Sequence, residues 1–227
     1  LKSVVDIASH EFFHIVTPLN IHSEIIEHFN FEKPTPSQHL WLYEGVTEWA
    51  SHMQLYRGGV TTFENYIANG IKQKILINEL YFSPDWSLKR IADESFDGGE
   101  GAKQYGNIYY KGSLVASYLD IRLLELSGGK IGLRETLLNL VQKYGKGNPF
   151  NEKTFFDDLA AMTYPEIKDF TDKYIIANEA LPHAEYLGKI GLEYTRVSDK
   201  NIVIKKKVNL TENEKMLFDA WSVNLPR

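Results

Sequence analysis

Residues 9–20 read SHEFFHIVTPLN, and His10, Glu11 and His14 within them form the pattern His-Glu-x-x-His. On an α-helix, residues four apart lie nearly above one another, so His10 and His14 would present two imidazoles to one metal ion. Glu11 would lie beside them, where its carboxylate can accept a proton from water activated by the metal. The same pattern also arises by chance in chains of this composition, so its surroundings must decide its meaning.

The helix that carries this pattern is predicted over residues 2–16. Apolar residues recur along one side at helical spacing. They are Val5, Ala8, Phe12, Ile15 and Val16. Because Ile7 and Phe13 flank the histidines on the other side, the helix is apolar nearly all round and is expected to be buried. Buried imidazoles and a buried carboxylate need partners, and a metal ion would supply them.

A third metal ligand is expected on a second helix, predicted over residues 39–56. Catalytic zinc sites use three protein ligands and keep one open position. Glu44, in HLWLYEGVTEWASH, is the best candidate, and since the chain has no cysteine the ligands must come from His, Asp and Glu. Glu44 and Glu48 lie opposite an apolar stripe formed by Val46, Trp49, Ala50 and Met53. Two carboxylates opposite an apolar face are also typical of a solvated surface.

Two acidic residues compete for a supporting role beside the ligands. Glu48, one turn after Glu44, would suit an acceptor for the N–H of a ligating imidazole. Asp6, one turn before His10, suits the same role, and a surface position explains either carboxylate equally well. The remaining histidines are expected on the surface or in packing positions, with His52 off the Glu44 face. They are His22, His28, His39, His52 and His183.

Length and composition describe an ordinary soluble globular protein. The chain has 227 residues, of which 43% are hydrophobic and 24% are charged. Its net charge of -5 gives no basic footprint, which argues against a nucleic-acid partner. No apolar run approaches the length of a membrane span. Residue 1 is Leu, so we expect an excised piece or a processed product. The compartment and the oligomeric state are left open.

A mainly α fold is predicted for most of the chain, followed by a short β-rich tail. Further helices are predicted over 61–79, 109–127, 132–144, 151–162 and 164–177. From Gly191 onward, LEYTRV and NIVIKKKVNL are β-branched runs separated by a polar turn, which predicts a pair of strands. We therefore expect one domain over residues 1–190 and a tail over 191–227 that could begin another module.

The residues around the candidate site resemble those of the gluzincin peptidases, in which the third zinc ligand is a Glu on a separate helix. HEFFH followed by LWLYEGVTEW carries the resemblance. The Phe-Phe pair within HEFFH and the long spacer between His14 and Glu44 are most similar to those of the glycyl aminopeptidase family. Members of this family often have a PDZ domain after the catalytic domain. YYKGSLVASYLD, at 109–120, resembles the Tyr-x-Lys-Gly stretch that opens a helix in this family. LPHAEYLGKIGL, at 181–192, resembles the end of the catalytic domain.

The resemblance implies a thermolysin-like helical catalytic domain with one zinc ion. It assigns the zinc ligands to His10, His14 and Glu44, and the role of general base to Glu11. It also assigns to Tyr109 a hydrogen bond to the developing oxyanion, although packing near a helix start is an alternative role for this tyrosine. Family members have an all-β domain and substrate-binding strands ahead of the zinc helix. This chain begins nine residues before His10, so we expect those parts to be absent from it.

The expected function is zinc-dependent hydrolysis of peptides. By resemblance, the protein would be an aminopeptidase that removes small N-terminal residues such as Gly or Ala. Two alternatives stay open: a zinc endopeptidase of the same clan, and a non-catalytic binding domain descended from a peptidase. The presence of both Glu11 and Tyr109 argues against the second, since a site without catalysis has no use for them.

Overall fold

A computed structural model describes residues 2–30, 32–145 and 147–222, which form a mainly helical fold with one small sheet. The prediction of a mainly α fold is therefore confirmed. The α-helices are α1 (Lys2–Phe13), α2 (Glu24–Glu27), α3 (Thr47–Arg57), α4 (Phe63–Tyr66), α5 (Gln73–Tyr81), α6 (Leu88–Asp93), α7 (Glu100–Gln104), α8 (Asn107–Leu126), α9 (Leu133–Tyr144), α10 (Phe155–Met162), α11 (Glu166–Thr171), α12 (His183–Lys189) and α13 (Glu212–Ser222). Three wider π-helical turns are continuous with α3, with α4 and α5, and with α11: Trp41–Val46, Ile67–Lys72 and Asp172–Ile176.

Helix α8 forms the centre of the core. It packs against the turn Trp41–Val46 and against helices α3, α5, α6, α9, α12 and α13. A helix that is surrounded in this way must be apolar on almost every side, and most of its side chains are fully buried. It ends at Leu126 because Gly128 and Gly129 adopt positive φ angles of 62° and 79°.

Two glycines allow α8 and the turn Trp41–Val46 to touch through their backbones. A Cβ atom on Gly45 would lie 2.8 Å from the Cα atom of Gly112, closer than side chains approach in folded proteins. Glu44 precedes Gly45, and Tyr109 lies one turn before Gly112 on α8. The crossing therefore brings the Glu44 segment next to the start of α8, which carries Tyr109.

Helix α1 lies on the outside of the fold and packs mainly on α3. It docks through the side that carries His10 and Phe13, both of which are buried. Most of the predicted apolar stripe faces away from the core, and Phe12 is 70% exposed, whereas Val16 is partly buried against the core. The expectation that α1 is buried on all sides is therefore wrong, because one main neighbour covers only one side of a helix.

The predicted strand pair of the tail is present. Strands β1 (Leu192–Ser198) and β2 (Asn201–Lys206) are antiparallel, with Tyr194 opposite Ile204. Helix α13, which was not predicted, follows them and buries Trp221 against the rings of Tyr56 and Tyr66. The division of the chain at residue 190 stays a prediction. Within the described ranges, every helix is too short or too polar to span a membrane.

Candidate functional site

Three predicted ligands meet in one cleft of about 490 Å³, between α1 and the turn Trp41–Val46. His10 comes from α1, His14 directly follows the last residue of α1, and Glu44 comes from the turn. Their donor atoms all lie within 4.8 Å of one another. The Oε2 atom of Glu44 lies 3.3 Å from Nε2 of His10 and 3.7 Å from Nε2 of His14.

The second nitrogen of the His10 and His14 imidazoles, Nδ1, donates a hydrogen bond to an acceptor. His10 Nδ1 donates to Glu48 Oε2 at 2.9 Å, and His14 Nδ1 donates to the carbonyl oxygen of Thr17 at 3.0 Å. An ionised carboxylate and a carbonyl oxygen can only accept, so the Nδ1 atoms carry the protons. In the neutral rings, both Nε2 atoms then direct lone pairs towards Glu44.

This arrangement favours a positive charge between the three donors. Two imidazole lone pairs and a carboxylate oxygen repel one another unless a cation lies among them. Burial lowers the pKa of His10, but hydrogen bonds to Glu44 and Glu48 outweigh it and raise that pKa to about 9. Two nitrogen donors and one oxygen donor, each held by a further hydrogen bond or by the helix, fit a divalent transition metal such as zinc.

Glu48, rather than Asp6, accepts the hydrogen bond from the His10 imidazole. Asp6 lines the same cleft one turn away. Burial raises the pKa of the Glu48 carboxyl, but its hydrogen bonds with His10 and His52 and its attraction to Lys74 outweigh burial and lower the pKa far below its usual value. Glu48 is therefore ionised and can accept a hydrogen bond from Nδ1 of His10 at any physiological pH.

The two predicted catalytic residues lie in the same cleft. Glu11 follows His10 on α1 and is exposed. Tyr109 lies across from α1, with its ring centroid 5.8 Å from that of His10. Burial, together with the negative charge of Glu44, raises the pKa of the Tyr109 hydroxyl well above its usual value. Tyr109 is therefore protonated at neutral pH and can donate a hydrogen bond within the cleft.

Two further residues of the site were missed in the sequence. His52 was expected off the Glu44 face, but it lines the cleft and its Nε2 lies 3.2 Å from Glu48 Oε1. Its position four residues after Glu48 is a signal that could have identified it. Lys74, on α5, donates to the same Oε1 atom. The sequence holds no local signal for this contact, because α5 reaches the site only through the tertiary fold.

Comparisons with known proteins relate the chain to aminopeptidases. The family model of the M61 glycyl aminopeptidases matches residues 3–115, a range that contains every residue of the cleft. The crystal structure of an aminopeptidase N family protein from Idiomarina loihiensis superposes with a TM-score of 0.76 at 21% sequence identity. That match covers 85% of this chain and 34% of the solved one, so this chain spans about a third of the length of that protein.

A search of curated protein sequences finds no match. At 21% identity, the solved structure establishes a shared fold. The family match over residues 3–115 and this shared fold together relate the chain to the M61 glycyl aminopeptidases.

Proposed function

We propose that this protein is a zinc-dependent aminopeptidase that removes small N-terminal residues from peptides. One observation carries the proposal. The Nε2 atoms of His10 and His14 and a carboxylate oxygen of Glu44 converge, while each Nδ1 atom is held by an acceptor outside the convergence point. Zinc bound by these three residues supplies a Lewis acid that makes water nucleophilic near neutral pH and polarises the peptide carbonyl.

Glu11 is the proposed general base. It follows His10 on the helix, so its carboxylate lies beside the metal ligands and faces the open part of the cleft. There it accepts a proton from the attacking water and passes it to the nitrogen of the leaving amine. An exposed carboxylate with free rotation of its side chain can reach both positions.

Tyr109 is the proposed donor to the oxyanion. Because its raised pKa keeps the hydroxyl protonated at neutral pH, it donates a hydrogen bond to the carbonyl oxygen as negative charge develops there. The ring packs between His10 and Tyr105, with centroid distances of 5.8 and 5.9 Å. These contacts hold the ring, and with it the position of the hydroxyl oxygen.

The aminopeptidase preference rests on the relationship to known proteins rather than on the cleft alone. The matching family is described as glycyl aminopeptidase, and the solved relative is described as an aminopeptidase N family protein. Recognition of the free α-amino group distinguishes an aminopeptidase from an endopeptidase that uses the same metal chemistry.

The test compares the parent protein with Glu11→Gln after removal of metal by a chelator and addition of zinc. The parent should bind one zinc ion per chain and release Gly or Ala from short peptides. Glu11→Gln should bind zinc equally and lose hydrolysis by about 10²–10⁴-fold, because a general base is removed while the ligands are kept. Glu64→Gln, an exposed carboxylate on α4, is the matched control and should leave hydrolysis unchanged.

Each alternative has its own outcome in this experiment. Equal cleavage of free and N-acetylated peptides would identify an endopeptidase. Less than about a tenth of an equivalent of zinc bound by the parent would favour a binding domain without catalysis, because three converging ligands normally hold zinc tightly.

A further inference from the structure

The carboxylate of Glu48 is shared by three donors from three parts of the fold. Its Oε2 atom accepts from Nδ1 of His10, on α1, at 2.9 Å. Its Oε1 atom accepts from Nε2 of His52, on α3, and from the ammonium of Lys74, on α5. The two sides of one carboxylate therefore have different partners, and only the Oε2 side faces a metal ligand.

Lys74 is almost fully buried, with only 4% of its surface exposed. Burial lowers the pKa of its ammonium, and the attraction of Glu48 partly offsets this effect. The ammonium also lies 5.3 Å from the ring centroid of Tyr110, which favours a cation. A cation buried to this extent is stable only when it is paired, so Lys74 and Glu48 depend on each other.

The surroundings of Glu48 are rich in negative charge. Glu11, Glu44 and Glu48 line one cleft, and Asp6 lies at its edge. Without the Lys74 ammonium, Oε1 would keep only the His52 donor at 3.2 Å, and the Glu48 carboxylate could rotate more easily towards the metal position and compete with Glu44. The ammonium of Lys74 opposes this rotation because it holds Oε1 on the side away from His10.

We infer that Lys74 is a positioning residue for the proposed metal centre. By holding the Oε1 atom of Glu48, it keeps Oε2 on the Nδ1 proton of His10 and so keeps His10 Nε2 directed at the metal. The inference rests on the proposed zinc site, and it assigns to α5 a part in zinc affinity although α5 contributes no ligand.

The test measures zinc affinity by competition with a chromophoric chelator. Lys74→Met keeps the length and the apolar stem of the side chain and removes its charge. We expect its zinc affinity to fall by about 10–100-fold, the loss typical when an outer hydrogen-bond partner of a metal ligand is disturbed. Lys72→Met is the matched control: Lys72 precedes α5, donates to Asn201 at 3.2 Å, and should leave the affinity unchanged.

A double-mutant cycle separates positioning from a general effect on stability. If Lys74 acts through Glu48, then Lys74→Met should change the affinity by no more than about threefold when Glu48→Gln is already present. If Lys74→Met lowered zinc affinity in the Glu48→Gln protein as much as it does in the parent, the inference would be overturned. The melting temperature of each metal-free variant identifies folded protein, and Lys74→Gln replaces Lys74→Met in the cycle if the methionine variant does not fold.

Failure of the inference and failure of the proposed function give different results. If the parent protein binds no zinc, both are refuted. If the parent binds zinc and Lys74→Met binds it as tightly as the parent, only the role of Lys74 is refuted.

Discussion

The chemistry of the centre depends on which nitrogen of each imidazole carries the proton. Two acceptors that belong to different parts of the chain, the Glu48 carboxylate and the Thr17 carbonyl, select the Nδ1 tautomer of His10 and His14. The Thr17 carbonyl is three residues after His14, so the local chain after α1 orients the His14 imidazole. Glu48 is 38 residues away from His10, so the His10 imidazole is oriented by the tertiary fold.

Tyr109→Phe should lower kcat by about 10²–10³-fold, the loss expected when one donor to an oxyanion is removed. KM should change little, because the hydrogen bond forms only as charge develops on the carbonyl oxygen. Steady-state kinetics with a Gly- or Ala-terminated peptide, together with zinc content, would check both parts. Tyr110→Phe is the control, since Tyr110 lies on the same helix but its ring packs against Phe82. A Tyr109→Phe protein with the kcat of the parent would show that the Tyr109 hydroxyl takes no part in the reaction.

At the scale of helices, the crossing of α8 and the turn Trp41–Val46 determines where Glu44 lies. Gly45→Ala should destabilise the protein by about 1–3 kcal/mol, because the new methyl group would overlap the backbone of Gly112. Zinc affinity should fall as well, since Glu44 is the preceding residue. Urea unfolding of the metal-free protein and chelator competition would measure the two effects.

The control for this substitution is Gly188→Ala on α12. A Cβ atom at Gly188 would meet no atom within 4 Å, so alanine should stabilise the helix by up to about 1 kcal/mol. A Gly45→Ala protein with the stability and zinc affinity of the parent would contradict the proposed role of the crossing.

Long helices with clear stop signals could be predicted from the sequence, whereas several short ones could not. The helix predicted over 109–127 corresponds to α8, and the glycines after it end it as expected. Helices α6, α7 and α12 have five to seven residues each and were missed. Helices of this length are not stable alone, so tertiary contacts that no local pattern contains must hold them.

For the whole molecule, the three residues whose donor atoms converge could be proposed from the sequence because they lie on two strongly patterned segments, and their setting resembled a known family. His52 and Lys74, which contact Glu48, were not identified in this way. His52 was placed off the Glu44 face, but it lies one turn after Glu48 on α3 and contacts that carboxylate instead. Lys74 could not be found, since its contact with Glu48 joins residues 26 positions apart on separate helices.

Substitutions in the C-terminal tail can test whether the molecule unfolds as one unit. Trp221 of α13 is 1% exposed and packs on Tyr56 and Tyr66, and its carbonyl oxygen accepts from Arg57 Nε at 2.7 Å. Trp221→Ala should therefore cost about 3–5 kcal/mol, the usual cost of truncating a buried tryptophan. Since Arg57 also pairs with the buried Asp120 of α8, this loss should lower the single unfolding transition of the whole chain.

Calorimetry and urea unfolding would measure this loss, with Met216→Ala as the control on the same helix. Met216 is 40% exposed, so its truncation should cost less than about 1 kcal/mol. Two separate transitions in Trp221→Ala, with the larger one at the temperature of the parent, would instead mean that residues 191–222 unfold independently. That result would support a domain boundary near residue 190, because only a module with its own core can lose its packing without weakening its neighbour.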